Sequence, residues 1–86
     1  MGSAQWMTLS DKGGEYHSTH HRGLFLEVSR KAGRSEVVGV VFTEATTGEY
    51  EKLERFTARC TIDEAKSRCV RVADRFANAG DEEWCS

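Results

Sequence analysis

The chain has 86 residues, of which 38% are hydrophobic and 30% are charged, and its formal net charge at pH 7 is −2. A chain of this length supports a single hydrophobic core, and its composition is neither that of a disordered chain nor that of a membrane span. The small acidic balance, with no segment of strong positive excess, argues against binding that depends mainly on phosphate contacts.

Residues 1–21 predict a partly flexible N-terminal arm. Residues 10–21 are polar and contain glycine, without the period of a strand or a helix, which is typical of a loop. Trp6 carries too much apolar surface to stay in solvent. We therefore expect residues 6–9 to add a short strand or to cover one end of the core.

Three strands are predicted in residues 22–60, joined by short turns that favour antiparallel neighbours. The first alternates apolar and polar residues, as a half-buried strand does. Its apolar face carries Leu24, Leu26 and Val28. Residues 36–44 form a β-branched run that is apolar on both faces, so we expect this strand at the centre of the sheet. The third strand is expected over residues 50–60.

A helix is predicted from Thr61 to about Ala79. Thr61 and Glu64 have the spacing of a capping box, in which each residue satisfies a backbone N–H group of the other. Apolar residues then recur within a sector of about 100°, the width of a stripe that faces a core. They are Ile62, Ala65, Cys69, Val72, Ala73 and Phe76. Gly80 is expected to end the helix, leaving residues 81–86 as an acidic tail.

These elements predict an α+β domain over residues 22–80, in which a C-terminal helix packs on one face of a three-stranded antiparallel sheet. The sheet has four strands if residues 6–9 join it. Its second face needs a cover, because monomers rarely expose large apolar patches. The candidate covers are the N-terminal arm with Trp6, a second subunit or a partner protein. Phe25 points to this face, together with either Val38, Val40 and Phe42 or Val37 and Val41.

Metal binding and catalysis find little support in the sequence. His17 and His20 are the best metal candidates, but no close cysteine pair accompanies them, so we expect no metal or other cofactor. The odd count of three cysteines, without a recognisable secretory signal, predicts reduced thiols and a cytoplasmic location. Cys60 precedes the helix, yet nothing places a base beside it, and no phosphate-binding loop or catalytic carboxylate pair occurs. We therefore expect no enzyme.

The helix also carries a basic stripe. Arg68, Arg71 and Arg75 follow an i, i+3, i+7 pattern that lines one flank, roughly 115° from the core sector. Arginines on one rigid element can bind phosphates or acidic side chains. A solvated face with ordinary surface ion pairs is the alternative interpretation.

The order of three strands and a helix, with a Thr-x-x-Glu-Ala cap at Thr61, Glu64 and Ala65, resembles two known classes. One is the sheet-and-helix module of plant ethylene-response-type and integrase arm-type DNA-binding domains, and the other is the double-stranded-RNA-binding-like fold. The topology over about residues 22–79 is also similar to small phage and mobile-element proteins, including anti-CRISPR inhibitors.

The leading hypothesis is a non-enzymatic accessory protein that binds a macromolecular partner, as an inhibitor or adaptor of phage or mobile-element type. Its expected contact residues are Phe25, Val40, Phe42, Arg55 and Arg59 on the sheet and Arg68, Arg71 and Arg75 on the helix. A second hypothesis is a DNA- or RNA-binding domain. It would use Arg30, Lys31, Arg34, Arg55 and Arg59. The third is a homodimeric structural subunit without further activity.

Overall fold

The structure is a computed structural model that describes residues 5–44 and 48–85, with side chains described up to residue 78. In these residues five strands precede one helix: β1 (Met7–Asp11), β2 (Gly14–His21), β3 (Leu24–Lys31), β4 (Val37–Glu44), β5 (Tyr50–Ala58) and α1 (Ile62–Cys85). The strands form an antiparallel sheet in the order β1-β2-β3-β4-β5, and α1 packs on β3 and β4. The predicted α+β class is confirmed, but the predicted three or four strands understate the sheet.

The prediction of a loop over residues 10–21 is wrong, because β1 and β2 form a hairpin there. The side of β2 that faces α1 presents His17 and Thr19, which are 6% and 8% exposed, in place of apolar residues. Hydrogen bonds satisfy both side chains, and the Thr19 hydroxyl donates to the carbonyl oxygen of Gln5 at 2.6 Å. β2 therefore lacks the apolar alternation by which a half-buried strand is recognised.

A two-residue turn, Arg22-Gly23, joins β2 to β3. Both residues have positive φ, 52° and 82°, as the tight hairpin turn that suits the twist of two antiparallel strands requires. The turn fixes His21 opposite Leu24, and hence the register of the whole β2–β3 pair.

The core lies between α1 and the face of the sheet that carries Leu26, Val28 and Val41, all fully buried. Gly39 decides which side of β4 faces the helix. A Cβ atom at this position would lie 2.2 Å from Cζ of Phe56, so only glycine lets this ring lie over the strand. Val38, Val40 and Phe42 consequently point to the opposite side, and this is one of the two arrangements that the sequence left open.

The predicted capping box of α1 is confirmed. The N–H group of Glu64 donates to Thr61 Oγ1 at 3.1 Å, and the N–H group of Thr61 donates to Glu64 Oε1 at 3.2 Å. Cys69 and Ala73 are fully buried, whereas Phe76, predicted to join the core, is 37% exposed. It follows Ala73, the last helical residue of the core cluster.

The predicted end of the helix at Gly80, and the separate tail over residues 81–86, do not agree with the structure. α1 continues to Cys85, while Ser86 lies outside the described residues. One glycine inside a helix costs about 1 kcal/mol relative to alanine, which does not by itself end a helix. The chain contains no proline, the residue that would stop the helix more strongly.

Candidate functional site

The candidate site is the face of the sheet that points away from α1, called here the outer face. The register of the four strand pairs defines its members, since directly paired residues share a face. They are Met7, Leu9, Asp11, Gly14, Tyr16, Ser18, His20, Phe25, Glu27, Ser29, Lys31, Val38, Val40, Phe42, Glu44, Tyr50, Lys52, Arg55 and Thr57.

An aromatic row crosses the outer face near the β2–β3 turn. The ring of Phe25 lies 5.0 Å from His20, 5.9 Å from Phe42 and 5.2 Å from Tyr50, measured between ring centres. The rings of Phe42 and Tyr50 meet edge to face at 6.4 Å. The row therefore forms a continuous apolar patch across β2, β3, β4 and β5, and Tyr50 is 54% exposed at its edge.

Apolar groups continue along the face beyond the aromatic row. Val40, only 9% exposed, lies opposite Glu27 on β3 and Arg55 on β5 and is not part of the core under the helix. At the edge of the sheet, β1 presents Met7 and Leu9, which are 70% and 66% exposed. Exposed apolar or aromatic side chains thus occur on both edge strands, β1 and β5, while the polar residues Ser18 and Glu27 lie between Met7 and Val40.

Tyr16 and Glu27 are two of the polar residues at the centre of this face. Partial burial, together with a hydrogen bond to Glu27 and the negative charge of that carboxylate, raises the pKa of Tyr16 to about 12. A phenol with this pKa stays protonated and donates a hydrogen bond at neutral pH.

A basic groove of about 540 Å³ occupies the opposite end of the outer face, by the turn between β3 and β4. Lys31, Arg34 and Arg55 line it, and Glu36 contributes the acidic side chain. Ser29, Val38 and Thr57 complete the lining. The outer face thus combines an apolar band with cations at one end.

Trp6 does not cover the outer face. It is partly buried against the core on the helix side of the sheet, with Nζ of Lys66 lying 5.4 Å from the centre of its ring. In residues 5–44 and 48–85, every element other than the sheet and its connections belongs to α1, which packs on the other face. The sequence left three candidate covers for the outer face. The position of Trp6 on the helix side excludes the cover formed by the N-terminal arm with Trp6.

The predicted arginine stripe lies on the helix side of the molecule. Arg68, Arg71 and Arg75 line an open groove of about 660 Å³ together with Glu54, Val72 and Asp74. The guanidinium of Arg68 lies 4.2 Å from the ring centre of Phe56, and Arg75 is 3.9 Å from the Glu54 carboxylate. Arg71 is exposed and has no ion pair within the described residues. The stripe and the outer face are therefore two separate surfaces.

His17 and His20 lie on opposite faces of β2, because they are an odd number of residues apart on a strand. His17 donates from Nε2 to Glu15 Oε1 at 3.0 Å, and its Nδ1 lies 3.1 Å from Thr8 Oγ1. Both ring nitrogens are thus already bound within the sheet. In the described part of the chain no three His, Cys, Asp or Glu side chains are grouped to hold a metal ion.

The thiols of Cys60 and Cys69 are both free. Cys69 is fully buried in the core, and this burial raises its pKa to about 12. A thiol held in its protonated form is a poor nucleophile, so Cys69 acts as a small core residue.

The predicted contact residues divide between these surfaces. Phe25, Val40, Phe42 and Arg55 come together on the outer face, while Arg59 is exposed just after β5. Of the residues proposed for nucleic-acid binding, Arg30 lies on the helix side, where it pairs with Glu15 at 2.9 Å. The sequence reasoning missed the parts of the outer face formed by Met7, Leu9, His20 and Tyr50. For Met7, Leu9 and His20, the sequence did contain a signal, namely the glycine-containing turns on either side of β2.

Comparisons with models of known protein families, with curated proteins and with solved structures found no match for this chain. Within the described residues, no helix has the combination of length and apolar character required to span a membrane.

Proposed function

We propose that this chain is a non-enzymatic accessory protein that binds a protein partner through the outer face of its sheet. The observation that carries the proposal is the aromatic row from His20 to Tyr50, together with the exposed side chains of Met7 and Leu9 on β1, which no described segment covers. Monomeric proteins rarely leave contiguous apolar patches of this kind exposed, and where they do the patch commonly binds a partner.

The layout of the outer face suits a protein partner. Protein interfaces combine an apolar, aromatic-rich centre with a polar rim. Here the rings of Phe25 and Phe42 form the centre, and Lys52 and Arg55 lie next to them on the edge strand β5. Large aromatic side chains in such positions dominate binding energy at many interfaces.

Photo-crosslinking tests this proposal at a defined position. A photoreactive residue is placed at Tyr50, on the exposed rim of the aromatic row, and in a matched control at Ser67, an exposed position on α1. We expect protein cross-links from position 50 that fall several-fold when Phe42 is replaced by Ser, and few from position 67. Equal cross-linking from both positions, or none from position 50, contradicts the proposal.

A second candidate function is binding of single-stranded nucleic acid, favoured by the basic groove that shares the outer face with the aromatic row. Stacking of bases on aromatic side chains and backbone contacts to cations are the usual elements of such sites. A gel-shift assay at increasing salt separates the two functions, because phosphate-dominated binding weakens steeply with salt. Arg34→Ala should then weaken binding, whereas Arg71→Ala on the helix should not. No shift at low salt removes this candidate.

A further inference from the structure

The arginine stripe of α1 lies outside the surface used by the proposed function, and it lines a groove of its own. α1 packs on β3 and β4, and an open groove of about 660 Å³ lies between the helix and the edge strand β5. Arg68, Arg71 and Arg75 line its helix side, and Glu54 lines it from β5. Residues three and four apart on a helix are neighbours, so the three cations form a continuous row.

Two of the three guanidinium groups have no ion pair within the described residues. Arg71 is exposed and without such a partner, and the same holds for Arg68. The guanidinium of Arg68 lies 4.2 Å from the ring centre of Phe56. An arginine stacked on an aromatic ring still presents its N–H edge to a carboxylate, and the stacking orients that edge in advance. The groove therefore offers two cations to a ligand, one of them held in place.

Asp74 is one of two carboxylates in the lining, and its partners lie outside the groove. It accepts a hydrogen bond from His21 Nε2 at 2.8 Å and one from Arg22 Nη1 at 3.3 Å. Neither of these donors lines the groove. Among the described residues, the ion pairs of Asp74 are with these two side chains of the β2–β3 turn and not with the arginine stripe.

Glu54 is the other carboxylate of the lining. It lies 3.9 Å from Arg75, which is longer than a hydrogen bond, and it pairs with that arginine only. Glu64, one turn before Arg68, is held in the capping box of α1. The positive charges of Arg68 and Arg71 are therefore left without a paired carboxylate in the described part of the chain.

We infer that this groove is a second docking surface, which binds an acidic segment of a protein partner through carboxylate side chains. The inference goes beyond the proposed function, because the groove lies on the helix side of the molecule and the outer face on the opposite side. Arginine binds carboxylates with two parallel N–H···O bonds, which fixes their orientation. Val72 adds an apolar group to the lining. With one docking surface on each side, the chain holds two partners together, as an adaptor does.

The spacing of the charges favours separate carboxylates over a nucleic-acid backbone. Arg68, Arg71 and Arg75 follow one another along the helix axis at about 4.5 Å and then about 6 Å. Alternate side chains of an extended peptide point to the same side about 6.6 Å apart, so alternate glutamates reach successive arginines. A phosphodiester backbone is charged at every nucleotide, so it is repelled by Glu54 and Asp74 where it passes over them.

An NMR titration of the ¹⁵N-labelled full chain tests the inference with a defined probe. The probe is the capped peptide Ala-Glu-Ala-Glu-Ala-Glu, and its control has Gln in place of each Glu. We expect the Glu peptide to shift the backbone amide signals of residues 68–75. It should bind about tenfold more tightly than the Gln peptide, which lacks the charge-assisted hydrogen bonds. No shift at these residues, or equal binding of the two peptides, overturns the inference.

Charge reversal at Arg71 separates the groove from the net charge of the molecule. Arg71 is exposed, so Arg71→Glu should stay folded, as circular dichroism checks. We expect this variant to bind the Glu peptide about tenfold more weakly, because an attraction is replaced by a repulsion. The matched control is Arg34→Glu, which makes the same change at an exposed position of the outer face and should bind as the wild type does. Equal losses in the two variants overturn the inference.

Two further arms distinguish this surface from other partners and from the outer face. A short oligothymidylate should leave the signals of residues 68–75 in place, and binding there as tight as that of the Glu peptide overturns the choice of a protein partner. Phe42→Ser should bind the Glu peptide as the wild type does, and Arg71→Glu should still cross-link from position 50. Ser67, the control position for cross-linking, does not line the groove. Failure of the peptide titration therefore leaves the proposed function standing, and the reverse also holds.

Discussion

At the scale of the residue, Gly39 shows how one missing side chain sets the orientation of a strand. The ring of Phe56 lies over its backbone, and the guanidinium of Arg68 lies on that ring. Both faces of β4 are apolar in sequence, so alternation alone could not say which one faces the helix. Space for the Phe56 ring is the physical reason that Val37 and Val41 face the core.

Substitution of Gly39 by Ala tests this explanation. The added Cβ would lie 2.2 Å from Phe56 Cζ, so the ring must move within a packed core. We expect the free energy of unfolding, measured by urea denaturation, to fall by about 1–3 kcal/mol, as is usual for overpacking.

The matched control is the same substitution in a Phe56→Leu background, where the ring is absent. Gly39→Ala should cost much less there, because alanine also restricts the unfolded chain more than glycine does. Equal costs in the two backgrounds would show that the ring is not what excludes a side chain at position 39.

At the scale of the element, α1 begins at a well-defined capping box. Besides the two backbone bonds of the box, the Thr61 hydroxyl lies 3.1 Å from Glu64 Oε1. The box satisfies N–H groups that would otherwise lack a partner inside the helix.

Thr61→Ala should lower the free energy of unfolding by about 1 kcal/mol, the usual cost of losing such a cap. Ser67→Ala on the exposed side of the same helix serves as the control. It removes a hydroxyl without touching the cap, and alanine has the higher helix propensity, so stability should hold or rise slightly. Thermal unfolding followed by circular dichroism compares both variants, and equal effects would contradict a capping role.

The elements also show what the sequence could predict. β3, β4, β5 and the start of α1 carry strong local signals: apolar alternation, a β-branched run and a capping box. β2 carries none of these, because its inward positions are His17 and Thr19, whose hydrogen bonds depend on β1 and on neighbouring side chains. The outer face was predicted through Phe25, but its full width depends on the missed hairpin, which supplies Met7 and Leu9.

At the scale of the whole molecule, ion pairs connect the helix to the hairpin side of the sheet. Asp74 on α1 accepts a hydrogen bond from His21 Nε2 at 2.8 Å and one from Arg22 Nη1 at 3.3 Å. These contacts join residues more than 50 positions apart in the chain. They fasten the β2–β3 turn to the helix on the side of the molecule opposite the outer face, so that the outer face itself stays free.

The same contacts predict how stability depends on pH. The hydrogen bond from His21, followed by the contact with Arg22, lowers the pKa of Asp74 below its ordinary value of 3.8. A carboxylate with a lowered folded-state pKa contributes stability that is fully present above its unfolded pKa and is lost as pH falls through the folded one. The stabilisation by Asp74 should therefore hold from neutral pH down to about pH 4 and disappear below it.

Asp74→Asn measures this contribution directly. The difference in free energy of unfolding between wild type and Asp74→Asn should be constant at neutral pH and shrink as pH falls from about 3.8 through the lower folded-state pKa of Asp74, below which the wild-type carboxylate is neutral in the folded and the unfolded chain. Glu51→Gln is the control, because Glu51 is exposed and has no side-chain hydrogen bond within the described residues. Its effect on urea denaturation should be small at every pH. A difference for Asp74→Asn that stays unchanged down to the most acidic pH would mean that the carboxylate charge does not hold the helix to the hairpin.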